Sequence, residues 1–258
     1  MEIGRLVKYD LPAPEMLAQQ AEWLAPARGR LFRQVGIARR KRVLDLGAGY
    51  GAVTGELVRR AGGPVVALDC AVAALREGGM ACAGAARAGG DARRLPFADN
   101  VFDLVFTQLT LLWVQPVTAA LDEIHRVLHL GGVLVALEPD YAGMIEYPPE
   151  VAVRELWLSA LDRAGADPLI GRALPGLLAA RGFIVSVGLF ESLYAPSAAR
   201  FDFLRDLPLT AAEALALETV EVEALVRHSP WAQIAHLPFF LMTAFKAESQ
   251  KAQCGGTR

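Results

Sequence analysis

The sequence predicts an α/β fold: a mostly parallel seven-stranded sheet with helices on both faces, plus helical additions that form a lid or pocket. Three observations predict it. Short apolar runs alternate along the chain with stretches of helical length, the pattern of strand–helix units that build a parallel sheet. Each run is apolar at consecutive positions, so both of its faces are buried. Glycine-rich turns punctuate the runs, foremost in VLDLGAGYG at 43–51. With 258 residues, 53 % of them hydrophobic and 21 % charged, the chain is large enough for one substantial core.

The elements follow in order. Residues 15–35 carry Met16, Leu17, Trp23, Leu24, Leu31, Phe32 and Val35 on a helical pattern that Pro26 interrupts. This predicts two short helices within an N-terminal helical segment, 1–40. A first strand at 42–46 runs into the glycine turn, which opens a helix at 52–61. Gly62-Gly63-Pro64 punctuates, and VVALD at 65–69 is a second strand ending in an acid. An Ala-rich helix reaches to about Gly79, and a third strand is expected within 80–92 despite poor β-propensity. FDLVF at 102–106 is the fourth strand, and 117–128 is an amphipathic helix stopped by Gly131-Gly132. The fifth strand, 133–137, is closed by Glu138-Pro139-Asp140. Residues 174–180, Gly182 and 183–187 repeat the helix–glycine–strand pattern, and FFLMTAF at 239–245 is the last strand. Helical additions are expected in 141–173 and 188–237, with helices near 197–206 and 210–227. Residues 1–246 read as one domain without repeats, and 247–258 as a loose tail.

Gly47, Gly49 and Gly51 leave the backbone bare along one side of a turn, so a ligand is expected to approach it closely. The turn fits G-x-G-x-x-G/A through Gly47, Gly49 and Ala52, and equally the D-x-G-x-G-x-G loop of S-adenosylmethionine binders. Asp69, about twenty residues beyond at the end of the second strand, suits a ribose diol, which nicotinamide dinucleotides and S-adenosylmethionine share. Three further features separate the two. Asp45 stands two residues before the first glycine, where dinucleotide enzymes carry a small or apolar residue. Gly90-Asp91-Ala92 offers an acid and a backbone N–H suited to an adenine edge. LPFADNVFDLVF at 95–106 and IHRVLHLGGVLVALEP at 124–139 supply the third.

These segments resemble the class I S-adenosylmethionine-dependent methyltransferases, specifically the small-molecule branch similar to ubiquinone/menaquinone methyltransferases. The resemblance spans about 43–139, and Leu130 departs from the proline usual in that turn. It implies a Rossmann-like fold, S-adenosylmethionine as cofactor, and in-line methyl transfer to a small, partly apolar acceptor. Carried over position by position, it implies that Gly47, Ala48 and Gly49 let the backbone approach the methionyl and ribose portion. Asp45 would anchor the turn and face the methionine amino group. Asp69 would hold the ribose diol and Cys70 would pack along the adenine. Asp91 and Ala92 would read the adenine edge, and Thr107 and Gln108 would lie near the reacting methyl through backbone carbonyls or side chains. The Asp69 carboxylate is expected to point into an open cleft and to matter little for the stability of the free protein.

No catalytic base stands out. His228 and His236, flanking HSPWAQIAH, are the only candidates, and His125 reads as a solvated helix residue. Tyr9 and Arg30 would reach the methionine carboxylate if the N-terminal helices fold over the cofactor. Phe190, Tyr194, Phe201, Phe203 and Trp231 are candidates for an aromatic acceptor pocket.

Composition narrows the partners. A net charge of −2 supplies no field for a polyanion, so no nucleic acid is expected. Cys70, Cys82 and Cys254 lack C-x-x-C spacing, which predicts neither disulfides nor a metal site. The start MEIGRLVKYDLPAPEM lacks a signal-peptide core, and no run of about 18 apolar residues occurs, so a cytoplasmic protein without membrane insertion is expected. The sequence carries no signal of oligomeric state. Two other readings remain: a non-catalytic S-adenosylmethionine-binding partner protein, and a nicotinamide-dependent oxidoreductase, which lacks a second glycine fingerprint here. A macromolecular methyltransferase meets neither a basic patch nor an N-P-P-Y-type motif, though a peptide acceptor survives.

Overall fold

A computed structural model describes residues 11–190, 192–193, 195–227, 229 and 231–247. Tyr9, Tyr194, His228 and, of the tail expected at 247–258, residues 248–258 lie outside the described residues.

Seven strands form one sheet: β1 (Val43–Leu46), β2 (Val65–Asp69), β3 (Ala86–Gly89), β4 (Phe102–Gln108), β5 (Leu128–Pro139), β7 (Phe183–Leu189) and β9 (Phe239–Lys246). Their order is β3-β2-β1-β4-β5-β9-β7. The first five run parallel, and β9 lies antiparallel between β5 and β7. The chain steps outward from β1 to β3 and then returns to the other side of β1 as β4. That reversal opens a crevice outside the carboxyl ends of β1 and β4, where open α/β sheets bind ligands. Apolar layers cover both faces of the sheet, one built on Leu44, Val105 and Leu134 and the other on Val43, Leu104 and Val135. Alternate residues of the same buried strands feed opposite layers, as their continuous apolar runs require.

The flanking helices are α1 (Pro14–Gln34), α2 (Thr54–Arg60), α3 (Val72–Glu77), α4 (Val117–Val127), α5 (Arg154–Ala164), α6 (Ile170–Ala179), α7 (Ala199–Arg205) and α8 (Ala211–Leu225). Where two N-terminal helices are expected, α1 is continuous through Pro26. The proline sits on the exposed side, where water serves the carbonyl that loses its N–H partner. The opposite stripe of Ala21, Leu24, Ala27, Leu31 and Phe32 is buried without interruption. Gly131-Gly132 does not end a helix either: α4 passes directly into β5 at Leu128, and the strand absorbs both glycines beside a register shift against β4.

The additions contain a feature the apolar pattern does not reveal. Short strands β6 (Ile145–Tyr147) and β8 (Ile234–His236) pair antiparallel, away from the main sheet. Glu146 on β6 accepts hydrogen bonds from the N–H groups of Val153 and Arg154 at 2.7 and 3.1 Å. A carboxylate on these unsatisfied donors fixes the start of α5. Thr210 and Glu213 form a reciprocal capping box at the start of α8. Among the described residues, no helix is long and apolar enough to cross a membrane.

Candidate functional site

A cavity of about 780 Å³ occupies the crevice at the β1/β4 reversal and extends beneath the helical additions. One half is made by the turns after β1, β2 and β3. Gly47 and Gly49 adopt φ of 79° and 51°, the left-handed region in which glycine carries no steric penalty. Their reasons differ. A Cβ on Gly47 would overlap the Thr110 side chain, so its space is taken by the protein itself. A Cβ on Gly49 would stand in the cavity, its nearest neighbours being Leu11 and Leu17 Cδ1 at 3.8 Å. The second glycine therefore keeps open a cradle that a ligand can enter.

The acids around this cradle have distinct settings. Asp69 is 7 % exposed, and both of its carboxylate oxygens are engaged. Oδ2 accepts the Gly49 N–H at 2.7 Å and Oδ1 the Ala71 N–H at 2.8 Å. The expectation of a carboxylate in an open cleft is thus corrected: Asp69 clips the glycine turn to the end of β2. Each oxygen keeps a lone pair for a ligand hydroxyl. Asp45 is buried at the floor and accepts from Thr54 Oγ1 at 2.6 Å. Burial pushes its pKa up to about 7, against the hydroxyl's opposing pull. Asp91 is clamped by Arg93, whose Nη2 donates to Oδ2 at 2.6 Å and whose backbone N–H donates to Oδ1 at 2.8 Å. These bonds hold the Asp91 carboxyl below its usual range. Ala48, Cys70 and Ala92 line the cavity.

At the end of β4 the two expected residues part. Gln108 lines the cavity, and its Oε1 accepts from Arg28 Nη1 at 2.9 Å. Its NH2 is then the group left for a ligand. Thr107 is fully buried and does not line the cavity, so the expectation that its side chain faces a ligand there is corrected. Strand alternation turns consecutive side chains to opposite faces, and only the Gln108 side faces the crevice. Arg30 is exposed; Arg28, two residues earlier, points inward instead. Its Nε and Nη2 donate to Glu56 Oε2 at 2.8 and 2.6 Å, and its Nη1 also donates to Ala21 O. One buried guanidinium thus ties α1, α2 and β4 together behind the cradle.

The other half of the cavity is apolar. Trp157, Leu161 and Ala164 form one stripe of α5, and Tyr141, Leu112, Phe203 and Leu207 complete the walls. The Tyr141 and Trp157 rings lie 4.8 Å apart at 31°, and Phe203 meets Trp23 of α1 edge-on at 5.7 Å. Arg163 at the rim is held by Pro208 O and Glu213. Of the aromatic candidates among the described residues, Phe203 alone lines this wall. Phe201 and Phe190 are core residues, and Trp231 is 57 % exposed. His236 sits on β8 and does not line the cavity, which corrects its candidacy as a base. His125 packs edge-on against Phe183, 5.2 Å away. Tyr141, Trp157 and Arg28 escaped the sequence reading, and the Trp157–Leu161–Ala164 spacing was the available signal.

Comparison with known proteins gives the class. Residues 44–136 match the methyltransferase domain family. With the sheet order and glycine cradle, they make this segment a class I, Rossmann-like methyltransferase domain. Within that class, the chain is 42 % identical over 136 residues to the demethylmenaquinone methyltransferase of Mycolicibacterium paratuberculosis, covering 51 % of this chain and 54 % of that protein. The chain therefore spans about half the length of the curated relatives it matches. Among solved structures, the YcgJ protein of Bacillus subtilis shares the fold at TM-score 0.63 and 17 % identity, over 85 % of this chain and 97 % of that one. The geranyl diphosphate C-methyltransferase of Streptomyces coelicolor shares it at TM-score 0.56 and 15 % identity, over 89 % and 77 %.

Proposed function

We propose that this chain is an S-adenosylmethionine-dependent methyltransferase acting on a small, partly apolar acceptor. The observation that carries the reading is one continuous cavity with a polar glycine cradle at one end and an aromatic chamber at the other. The residues present fit the cofactor: a Cβ at Gly49 would fill the cradle, while Asp69 retains acceptor capacity for a diol. When bound, S-adenosylmethionine supplies a methyl group already activated on a sulfonium.

The chain's own residues then have binding and shielding tasks. Gly47, Ala48 and Gly49 admit the methionyl and ribose portion, and Asp69 accepts from the ribose hydroxyls. Asp45 braces the turn through Thr54 and places negative charge on the methionine amino side. Asp91 and Ala92 meet the adenine edge, with Arg93 sharing the Asp91 carboxylate, and Cys70 packs beside the ring. Gln108 presents its NH2 between the two halves. The apolar walls of α5 and α7 exclude water and orient the acceptor, a contribution through proximity and a dry site. Tyr141, Trp157 and Phe203 lie beyond the matched segment 44–136. The aromatic part of the chamber is thus built outside the segment that matches the family.

Isothermal titration tests the cofactor. S-adenosylmethionine and S-adenosylhomocysteine should bind in the micromolar range, with NAD(H) and NADP(H) silent. Tight NADH binding without response to S-adenosylmethionine would overturn the reading. Labelled S-adenosylmethionine offered with metabolite fractions then separates an enzyme from a non-catalytic binder, which would transfer no label.

A further inference from the structure

Segment 109–115 divides the two halves of the cavity, and every residue in it except Leu111 lines the wall. It is held in an unusual way. Leu109 adopts φ of 53°, a region that leucine rarely visits. The next two amides, Thr110 N–H and Leu111 N–H, both donate to a single atom, Glu138 Oε1, at 3.1 and 2.9 Å. Glu138 ends the apolar run of β5 and is completely buried, and its Oε2 has no hydrogen-bond partner among the described residues. The Thr110 hydroxyl donates to Gln108 O at 3.0 Å. The same side chain fills the space that a Cβ on Gly47 would need. A line of contacts therefore runs from Glu138 through Thr110 to the glycine cradle.

A buried carboxyl with one unmatched oxygen is a poor packing residue, because an apolar side chain of similar volume avoids that desolvation. What the carboxyl provides, and an apolar chain does not, is one acceptor for two adjacent amides. We propose that Glu138 is a positioning residue for the transfer: it locks segment 109–115, and through Thr110 the cradle, in the geometry that receives the cofactor. The proposal rests on the reading of the cavity as an S-adenosylmethionine site.

S-adenosylhomocysteine is the probe, titrated into wild type, Glu138→Gln and Glu138→Leu, with amide exchange at Thr110 and Leu111 measured alongside. Glutamine keeps the acceptor oxygen and leucine removes it. Glu138→Leu should bind at least about tenfold more weakly, because two adjacent amides lose their shared acceptor, and both amides should exchange faster. Glu138→Gln should stay within about threefold of wild type. If Glu138→Leu does not fold, Glu138→Asp takes its place, withdrawing the acceptor by one methylene, and should also bind more weakly than Glu138→Gln. Equal affinity of the Gln and Leu (or Asp) variants, whether both weak or both like wild type, would overturn the role. Failure of the wild-type protein to bind S-adenosylhomocysteine would instead overturn the cofactor reading, and the proposal with it.

Discussion

The cradle half of the cavity is walled by the ends of β1, β2 and β3 and their turns, whereas the chamber half is walled by α5, α7 and the segment after β4. In the cradle, backbone N–H groups, positive-φ glycines and buried acids are cross-linked by short hydrogen bonds, such as those from Gly49 and Ala71 to Asp69. In the chamber, ring and aliphatic contacts dominate, and the one charged side chain, Arg163, is already paired with Glu213. The first kind of surface tolerates almost no change of residue, because each position is fixed by direction as well as by space. The second requires only apolar volume, so it can be rebuilt without disturbing the sheet. One cofactor with many acceptors requires that division.

The sharpest way to break the comparison is at the two glycines. Gly49→Val should abolish S-adenosylhomocysteine binding in titration; its side chain meets only cavity space, so the protein should still fold, weakened by the strain of valine at φ of 51°. Gly47→Ala should act on the fold, because its Cβ collides with Thr110, and its melting temperature should fall more than that of Gly49→Val. Retained binding in Gly49→Val would place the ligand elsewhere.

Asp69→Ala ranks next. It removes the ligand contact and leaves the Gly49 and Ala71 amides unmatched, each loss worth about 1–3 kcal/mol. Affinity should drop at least about tenfold, and calorimetry should also show a lowered melting temperature in the free protein. A folded variant with unchanged affinity contradicts the ribose assignment.

In the chamber, Trp157→Ala and Phe203→Ala should impair acceptor turnover and leave S-adenosylhomocysteine affinity within a few-fold. Truncating a buried aromatic also destabilises by about 3–5 kcal/mol, so the comparison is made well below the melting temperature. Trp231→Ala, at an exposed position off the cavity, should alter neither. An acceptor defect in Trp231→Ala would move the chamber wall.

The last effect is a slope. The Asp45 carboxyl moves from its ordinary 3.8 to about 7 on folding, through burial in the company of Thr54, Asp69 and Arg28. The folded state then holds more protons than the unfolded state between those values, so this group's contribution to stability falls as pH rises through that window. Below 3.8 the penalty is absent, and above about 7 it is complete. Asp45→Asn should therefore lose less stability than wild type between pH 5 and 8 in denaturant titrations. Identical slopes would mean that Asp45 does not carry the shift.

The strand–turn units, the glycine cradle and the acids Asp45, Asp69 and Asp91 were legible in the sequence. Each is a local requirement: a buried strand must be continuously apolar, a left-handed turn demands glycine, and an acid follows its strand at fixed distance. Thr107 and Gln108 show where local reading stops, since only the pleat and the position of the crevice decide which neighbour faces the ligand. Pro26 failed as a helix breaker because solvent on its side of α1 tolerates the missing bond. Glu138 read as the end of a strand; its role depends on amides 27 and 28 residues earlier in the chain. The chamber likewise joins Tyr141, Trp157 and Phe203 from three separate segments. The sequence by itself determined the sheet and the cradle, whose chemistry is written within a few residues. Only the tertiary structure decided which aromatics form a pocket and which form core, because apolar packing has no direction and records no partner in the local pattern.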